Sequence, residues 1–239
     1  MMIPSLIVML THNDQTIPDA LQVFESCKDL PVTFWGFKDV GLPVDQMKTL
    51  VTAIKKAGKV SFLEVVRYTE QECAESASLA LDCGFDYLMG TVFYKSVFEF
   101  LKKRTLQYFP FCGKVSGSPS VLEGTIEDII GEAQTLANMG VPGFDLLAYR
   151  FTGDAESLAE RFVREVKRPV VIAGSINSFA RLDRMKEINP WGFTIGGAFF
   201  EKKFVKNGSV LEQIDSVHRY LGGSTQKSRT KAGAETKNR

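Results

Sequence analysis

Two pairs of small residues in the C-terminal third of the chain are the strongest candidates for a ligand site. Gly174-Ser175 follows the apolar run Pro169–Ala173, and Gly196-Gly197 follows the run Gly192–Ile195. A phosphate group is bound by backbone N–H groups that converge on it, and side chains at such positions would block its approach. Residues Ala198–Glu201 are predicted to start a short helix that faces the same anion. The pattern predicts a phosphate site; the alternative is that the glycines only form tight turns.

Three charged residues in other apolar runs are candidates for catalysis. Lys38 and Lys114 each come at the end of a run, and Glu64 lies inside one. A buried carboxylate is costly unless it is paired, so we expect Lys38 or Lys59 beside Glu64. Lys38 is either a partly desolvated catalytic amine or the partner of Asp39 or Glu64 in a salt bridge. We predict Lys38 and Glu64 for proton transfer and Lys114 for binding an oxyanion.

His12 and Arg150 are predicted to contact the ligand. His12 follows the first apolar run, whereas His218, the other histidine, lies in the last predicted helix. Arg150 follows the sixth run, and its guanidinium would clamp a carboxylate or a second phosphate. For Asn13 and Asp14, the neighbours of His12, helix capping is the alternative.

Eight apolar runs alternate with amphipathic stretches and must position these residues. The runs are mostly unbroken, as is typical of parallel strands covered on both faces. The predicted strands are Ser5–Leu10, Val32–Phe37, Val60–Val66, Asp86–Gly90, Tyr108–Lys114, Phe144–Tyr149, Pro169–Ala173 and Gly192–Ile195. The predicted helices are Pro18–Lys28, Pro43–Ala57, Glu70–Cys83, Tyr94–Lys103, Thr125–Met139, Asp154–Lys167, Ser178–Glu187 and Val210–Leu221. This alternation predicts an α/β fold, a single (β/α)8 TIM barrel over residues 1–221.

A repeated Gly-Phe motif marks the start of the fourth, sixth and eighth predicted strands. Asp86 and Asp145 follow the motif in the first two copies. Because they stand at strand starts, we predict that both lie at the bottom of the barrel, where residues usually serve stability.

The residues VVIAGSI and GFTIGGAFFE, in the last two predicted strands and the turns that follow them, resemble the C-terminal quarter of the ribulose-phosphate-binding barrels. The detailed similarity covers about 35 residues, and the order of strands extends it over residues 1–221. The resemblance implies an isomerase, epimerase, decarboxylase or synthase of a phosphorylated substrate. It also implies that Gly174, Ser175, Gly196 and Gly197 contact the phosphate.

No single branch of these barrels is matched. The third strand has no D-x-K-x-x-D run like that of the decarboxylases, and the chain lacks the histidines of the metal-dependent epimerases. Lys114 stands where the histidine-pathway isomerases have an acid. The sixth strand ends in Ala148-Tyr149-Arg150 rather than in the lysine of class I aldolases.

We therefore expect a metal-independent enzyme without a cofactor that acts on a phosphorylated sugar or keto-acid. The reaction would be enolate-type proton transfer, as in an isomerase or epimerase, or carbon–carbon cleavage, as in a lyase. A barrel that senses a phosphorylated metabolite without catalysis is the alternative. A nicotinamide-dependent oxidoreductase is a weaker one, because no G-x-G-x-x-G follows the first strand.

Composition and charge limit the classes of partner that the protein is expected to bind. The net charge of +1 divides into +4 on residues 222–239 and −3 on the rest. That basic tail lacks large apolar side chains, so we predict that it is disordered; the alternative is a basic arm that docks on an anionic partner. Four scattered cysteines and two histidines do not have the spacing of a zinc site. We expect a cytoplasmic protein without a nucleic-acid or membrane partner; a homodimer is allowed, although no interface can be read from the sequence.

Overall fold

Eight parallel strands form the main sheet, as described by a computed structural model that covers residues 3–222. The strands are β1 (Ser5–Met9), β2 (Phe34–Lys38), β3 (Val60–Arg67), β4 (Tyr87–Thr91), β5 (Gln107–Phe109), β6 (Phe144–Leu146), β7 (Val170–Ile172) and β8 (Gly192–Ile195). The predicted disordered tail lies outside the described residues from residue 223 onward.

The order of the strands confirms the predicted barrel. The sheet runs β6-β7-β8-β1-β2-β3-β4-β5, with parallel pairing at each step. The seam between β5 and β6 is closed by a parallel bridge between Phe111 and Asp145, with the Asp145 N–H donating to the Pro110 carbonyl at 3.0 Å. The eight strands therefore enclose an interior, and their carboxyl ends meet at one mouth.

Helices alternate with the strands and cover the outside of the barrel. They are α1 (Ala20–Cys27), α2 (Val44–Lys56), α3 (Glu70–Cys83), α4 (Lys95–Leu101), α5 (Ile126–Met139), α6 (Ala155–Glu165), α7 (Phe179–Ile188), α8 (Gly197–Phe200) and α9 (Val210–Tyr220). A 3-10 turn, Ala148–Arg150, follows β6. Over residues 3–222, none of these helices has the length and apolar character needed to cross a membrane.

Local signals explain where several helices begin and end. The Thr69 hydroxyl accepts a hydrogen bond from the Glu72 N–H as part of a capping box at the start of α3, and the Thr125 hydroxyl caps α5 by accepting from the Asp128 N–H. Gly84 and Gly140 end α3 and α5 in the left-handed conformation. The observed bounds of α3 and α5 agree with the predicted helices Glu70–Cys83 and Thr125–Met139 to within one residue.

The bottom of the barrel interior is filled by aromatic side chains. Phe62 stacks on Tyr87 with ring centroids 4.2 Å apart, and the Trp191 ring lies within 5.3–6.3 Å of Phe34, Phe62, Tyr87 and Phe109. This apolar plug closes the lower end of the barrel. A polar ligand can consequently be bound only in the upper half of the interior and at the mouth.

Two short hairpins interrupt the simple strand–helix repeat at the mouth. The first hairpin pairs Thr11–His12 with Gln15–Thr16 directly after β1. The second hairpin pairs Lys114–Ser116 with Val121–Glu123 after β5, and residues 117–120 form its loop. Both hairpins project from the carboxyl ends of strands, so they shape the edge of the mouth.

The fifth strand is shorter than predicted, and this moves Lys114 away from the barrel. Pro110 has no N–H to donate, so the regular strand ends at Phe109, although the Phe111 N–H still donates to the Thr91 carbonyl at 2.8 Å. The chain then turns out of the barrel at Gly113. Lys114 consequently lies on the second hairpin with a side chain that is 78% exposed.

Candidate active site

Two adjoining cavities open at the mouth of the barrel. The glycine cavity, about 330 Å³, is lined by the turns after β7 and β8. The hairpin cavity, about 320 Å³, lies under the loop of the second hairpin. Five residues line both cavities and form their shared wall: Asp14, Lys38, Glu64, Arg150 and Gly174. A ligand that extends from one cavity into the other must pass along this wall.

The turn after β7 has an unusual backbone that exposes N–H groups to the glycine cavity. Gly174 and Ser175 follow one another with φ of +91° and +52°, in the left-handed region. Successive N–H groups in such a turn form a concave site for an anion. Within residues 3–222, the N–H groups of Ser175, Gly197 and Ala198 donate to no other residue. These donors all border the glycine cavity.

The two glycines after β8 have different steric roles. A Cβ on Gly196 would lie 2.5 Å from Oγ1 and 3.0 Å from the carbonyl oxygen of Thr11, so the first hairpin can approach only a glycine here. A Cβ on Gly197 would meet its nearest atoms, Oε1 of Glu201 and Cδ2 of His12, at 3.5 and 3.7 Å. Gly196 is therefore required for packing, whereas Gly197 leaves space in the glycine cavity itself.

Lys38 is the cation at the centre of the shared wall. Its ammonium donates to Oδ1 of Asp14 at 3.0 Å and lies 3.9 Å from Oε1 of Glu64. The Lys38 side chain is 10% exposed and that of Glu64 17%, whereas Asp14 is 68% exposed. One nearly buried cation is thus shared by a nearly buried carboxylate and an exposed one. The pairing of Glu64 with Lys38 rather than Lys59 settles the alternatives left open by the sequence, since the Lys59 ammonium donates to the Leu30 carbonyl.

These contacts shift the pKa values of the three groups in different directions. Burial lowers the pKa of Lys38, but the Glu64 carboxylate and the hydrogen bond to Asp14 outweigh burial and leave this pKa above its usual value. Burial raises the pKa of Glu64, with Lys38 opposing the effect. The hydrogen bond from Lys38 lowers the pKa of Asp14. Lys38 is therefore an ammonium ion at neutral pH, and Glu64 is a stronger base than an exposed glutamate.

The first hairpin places Asp14 against Lys38. Asn13 and Asp14 form its two-residue turn with φ of +49° and +58°, which asparagine and aspartate tolerate better than most residues. Thr16 fixes the hairpin to β2, because its hydroxyl donates to the Lys38 carbonyl at 2.8 Å and accepts from the Lys38 N–H at 2.9 Å. Asp14 thus belongs to a hairpin turn, and the helix-capping alternative is wrong.

Arg150 and His12 border the glycine cavity from opposite sides. Arg150 ends the 3-10 turn after β6, and its side chain lies across Gly174, where an added Cβ would be 3.3 Å from its Cγ. His12 lies on the first hairpin with its Nε2 3.9 Å from Oε1 of Glu201, a residue of the same cavity. The structure therefore brings both predicted contact residues to the mouth, beside the glycine turns.

A β-bulge shapes the wall of the hairpin cavity. The register between β3 and β4 shifts between Glu64 and Arg67, and Val66, Arg67 and Tyr68 all line this cavity. The Arg67 guanidinium pairs with Oδ2 of Asp39, whose side chain is 5% exposed. Burial raises the pKa of Asp39, and the Arg67 charge opposes it. Asp39 and Arg67 were both expected at the carboxyl ends of their strands, but the bulge that pairs them is not visible in the sequence.

Asp145 lies in the barrel interior, so its predicted location at the bottom rim is wrong. Strand β6 begins at Phe144, as predicted, and Asp145 pairs with Phe111, which lies beyond the end of β5, on one side and with Val171 on the other. The residue is 1% exposed, and neither carboxylate oxygen has a hydrogen-bond partner within the described residues. Burial raises its pKa well above the usual value, and the Glu64 charge adds to this shift. Asp145 is an acid that sequence analysis did not place near Glu64.

Most of the predicted site residues meet at the mouth, with one exception. Lys38, Glu64, His12, Arg150, Gly174, Ser175, Gly196 and Gly197 line one or both cavities. Lys114 lines neither cavity and instead lies 3.9 Å from Glu123 on the second hairpin. The structure therefore does not bring Lys114 to the Lys38–Glu64 pair. The signals in the sequence are Pro110, which ends the regular strand, and Gly113, where the chain leaves the barrel.

Comparisons with known proteins agree with the fold. N-(5'-phosphoribosyl)anthranilate isomerase from Pyrococcus furiosus has a TM-score of 0.60 at 13% identity, with 92% of this chain and 98% of that chain covered. A tryptophan synthase alpha-subunit from the same organism has a TM-score of 0.62 at 13% identity, covering 91% and 98%. A structure of native KDPGal has a TM-score of 0.63 at 12% identity, covering 93% and 96%.

The three likenesses extend over at least 91% of this chain at 12–13% sequence identity. At these identities the likeness shows that the chain shares their fold. No protein-family model and no curated protein matches the sequence.

Proposed function

We propose that the protein is an enzyme that acts on a small phosphorylated sugar or keto-acid. The observation that carries the proposal is the position of Lys38 and Glu64 in the wall shared by the glycine cavity and the hairpin cavity. A phosphate bound by the turns after β7 and β8 would hold the rest of the molecule along this wall. One small molecule could then contact the anion-binding turns and the Lys38–Glu64 pair at the same time.

The proposed chemistry begins with proton transfer to Glu64. Its carboxylate takes a proton from the carbon next to the substrate carbonyl, and the electron pair of that C–H bond forms an enolate. The Lys38 ammonium donates a hydrogen bond to the developing oxyanion. Glu64 then returns the proton to the adjacent carbon while the hydroxyl proton moves from one enediolate oxygen to the other, which gives an isomer. An epimer forms instead when water protonates the original carbon on its opposite face and Glu64 later loses its proton to solvent. In a lyase, Glu64 would instead take the proton of a hydroxyl group, and the electrons of the breaking carbon–carbon bond would form the enolate.

The pKa shifts support this division of roles. A glutamate with a raised pKa is a better general base near neutral pH than an exposed one. A lysine whose pKa is raised by two carboxylates remains a cation, which suits stabilisation of an oxyanion better than attack as a free amine. Lys38 therefore takes the oxyanion role that the sequence assigned to Lys114. We propose that Gly174, Ser175, Gly196 and Gly197 bind the phosphate, and that Arg150 and His12 contact the substrate beside it.

Solvent-proton exchange tests this proposal. The full chain is incubated in D2O with ribulose, xylulose or hexose phosphates, and NMR follows deuterium at the carbon next to the carbonyl and any cleavage product. We expect exchange or cleavage with at least one compound and a loss of about 10²–10⁴-fold in Glu64→Gln. Glu123→Gln, an equivalent change outside both cavities, should leave the rate unchanged. Binding of these compounds without exchange or cleavage would overturn catalysis and favour a metabolite-sensing barrel.

A further inference from the structure

The hairpin cavity is lined differently from the glycine cavity. Apolar side chains from four strand ends form its floor and walls: Val66, Phe111, Leu147 and Ala173. Arg67, its cation at the far side, is already paired with Asp39, and the other two cations of its lining, Lys38 and Arg150, belong to the wall shared with the glycine cavity. This cavity therefore presents hydrocarbon surface, together with charges that compensate one another.

The loop of the second hairpin roofs this cavity. Residues Gly117 to Ser120 line it, and the Tyr68 hydroxyl holds them by donating to the Gly117 carbonyl at 2.7 Å and by a 2.9 Å hydrogen bond with Oγ of Ser120. Leu122 anchors the hairpin because it is fully buried and its carbonyl accepts from the Thr152 N–H at 3.0 Å. The cavity is thus part of the folded mouth rather than a surface groove.

We propose that the hairpin cavity binds the end of the substrate remote from the phosphate and that this end is an uncharged, hydrocarbon-rich group. A second phosphate or a carboxylate would lie near Asp39 and Asp14, where Arg67 is already paired, while the Arg150 side chain lies across Gly174 at the glycine turns. The hydroxyls of a polyol would face valine, phenylalanine and leucine side chains and would lose their hydrogen bonds to water. The volume of about 320 Å³ is at the lower end of typical small-molecule sites. The inference rests on the proposed function, since it requires the phosphate to lie in the glycine cavity.

A series of phosphate monoesters tests the inference on the full chain. Dissociation constants are measured by calorimetry for inorganic phosphate, propyl phosphate, hexyl phosphate, 4-phenylbutyl phosphate and 1,6-hexanediol bisphosphate. We expect the hexyl and phenylbutyl esters to bind at least about tenfold more tightly than the propyl ester, because the added hydrocarbon leaves water. The bisphosphate should bind no more tightly than the propyl ester. Equal affinity of hexyl and propyl esters, or tightest binding of the bisphosphate, would overturn the inference.

Variants assign the gain in affinity to the hairpin cavity. Val66→Glu should remove the advantage of the hexyl ester and leave propyl phosphate unchanged, and the isosteric Val66→Thr should reduce the advantage with less risk to folding. Val121→Glu changes an exposed valine outside this cavity and should keep the advantage. An advantage that survives Val66→Glu would contradict the assignment.

The proposed function fails by a different result. If inorganic phosphate and all esters fail to bind, or bind equally well to Gly197→Glu, the phosphate site is refuted. If the phosphate compounds bind and Gly197→Glu weakens them, but the length of the alkyl group has no effect, only the inference about the hairpin cavity fails.

Discussion

Lys38 and Glu64 are register partners on the adjacent strands β2 and β3, and the lysine ammonium lies 3.9 Å from Oε1 of the glutamate. Both side chains are largely withdrawn from water, so neither charge is solvated as it would be on the surface. Buried pairs of this kind add little net stability, but loss of one partner leaves an uncompensated charge. The effect of breaking this pair on stability can therefore be predicted without knowing the substrate.

Lys38→Met should lower the free energy of unfolding by about 3–5 kcal/mol at pH 8, because Glu64 is left buried without a cation. The double variant Lys38→Met/Glu64→Gln should recover most of the loss. Guanidinium denaturation at pH 8 and pH 5 measures both. The raised pKa of Glu64 favours its neutral form at the lower pH, so the cost of Lys38→Met should be smaller there. An equal cost at the two pH values would contradict the assignment.

Asp14→Asn should strengthen binding of inorganic phosphate by several-fold. The Asp14 carboxylate accepts a hydrogen bond from Lys38 in the wall of the glycine cavity, where it competes with an incoming anion. Calorimetry at low ionic strength gives the affinity. Asp19→Asn removes the same charge from another exposed position and serves as the control for long-range effects. Equal changes in the two variants would show that Asp14 acts only through net charge.

Asp145→Leu should flatten the pH dependence of stability. The raised pKa of Asp145 means that the folded protein keeps this proton to a higher pH than the unfolded chain does. The contribution of Asp145 to stability is therefore fully present below about pH 4, the unfolded pKa, and is lost as the pH rises through the folded pKa. Urea denaturation from pH 4 to pH 9 should show a wild-type decline of up to about 1.4 kcal/mol per pH unit from this group, absent in the variant.

Asp86→Leu is the matched comparison, since Asp86 follows the same Gly-Phe motif. Oδ2 of Asp86 accepts from the N–H and the hydroxyl of Ser61, both at 2.8 Å, as expected for a structural residue. Its replacement should lower stability by about 1–3 kcal/mol, because the buried Ser61 donors lose their acceptor. A loss of stability in Asp145→Leu as large as that in Asp86→Leu would indicate that Asp145 also has a structural partner.

Gly196→Ala and Gly197→Ala should separate packing from ligand space. The first should cost about 1–3 kcal/mol of stability because its Cβ would overlap Thr11. The Cβ added in Gly197→Ala would make only van der Waals contacts at ordinary distances, so this variant should lose less than about 1 kcal/mol of stability. Thermal denaturation of both variants measures the difference. Equal costs would contradict the close approach of the first hairpin to Gly196.

Tyr68→Phe should loosen the roof of the hairpin cavity. The variant loses the hydrogen bonds to Gly117 and Ser120, so amide hydrogen exchange in residues 117–120 should be faster while exchange in the barrel strands is unchanged. Tyr94→Phe, which loses a 2.8 Å hydrogen bond to the Tyr68 carbonyl instead, is the control. Unchanged exchange in the loop would show that the hairpin strands alone fix it.

The barrel and most of its mouth were predictable because they depend on local patterns. Unbroken apolar runs, hydroxyl caps and glycines past helix ends fix the elements, and the barrel rule places Lys38, Arg150 and the glycine turns at one end. The sequence therefore predicted which strand ends meet. It did so without any information on the register between them.

The incorrect or missing predictions all depend on register or on irregular backbone. Lys114 left the predicted strand because Pro110 ends the regular ladder. Asp145 was expected at the bottom of the barrel, but the register between β5 and β6 pairs it with Phe111, beyond the end of β5. Arg67 reaches Asp39 through a bulge that no periodicity reveals. The register between two strands decides which side chains pair across them, and the packing of the whole barrel decides that register.

The seam between β5 and β6 divides the wall of the barrel into two arcs. Five strands form one arc and three form the other; the ladder between β8 and β1 joins them on one side, and the described residues give the Phe111–Asp145 bridge on the other. The arc of five carries Lys38 and Glu64, and the arc of three carries the glycine turns. The span between the reacting groups and the anchor for the anion is therefore set by two contacts between the arcs, the β8–β1 ladder and the Phe111–Asp145 bridge.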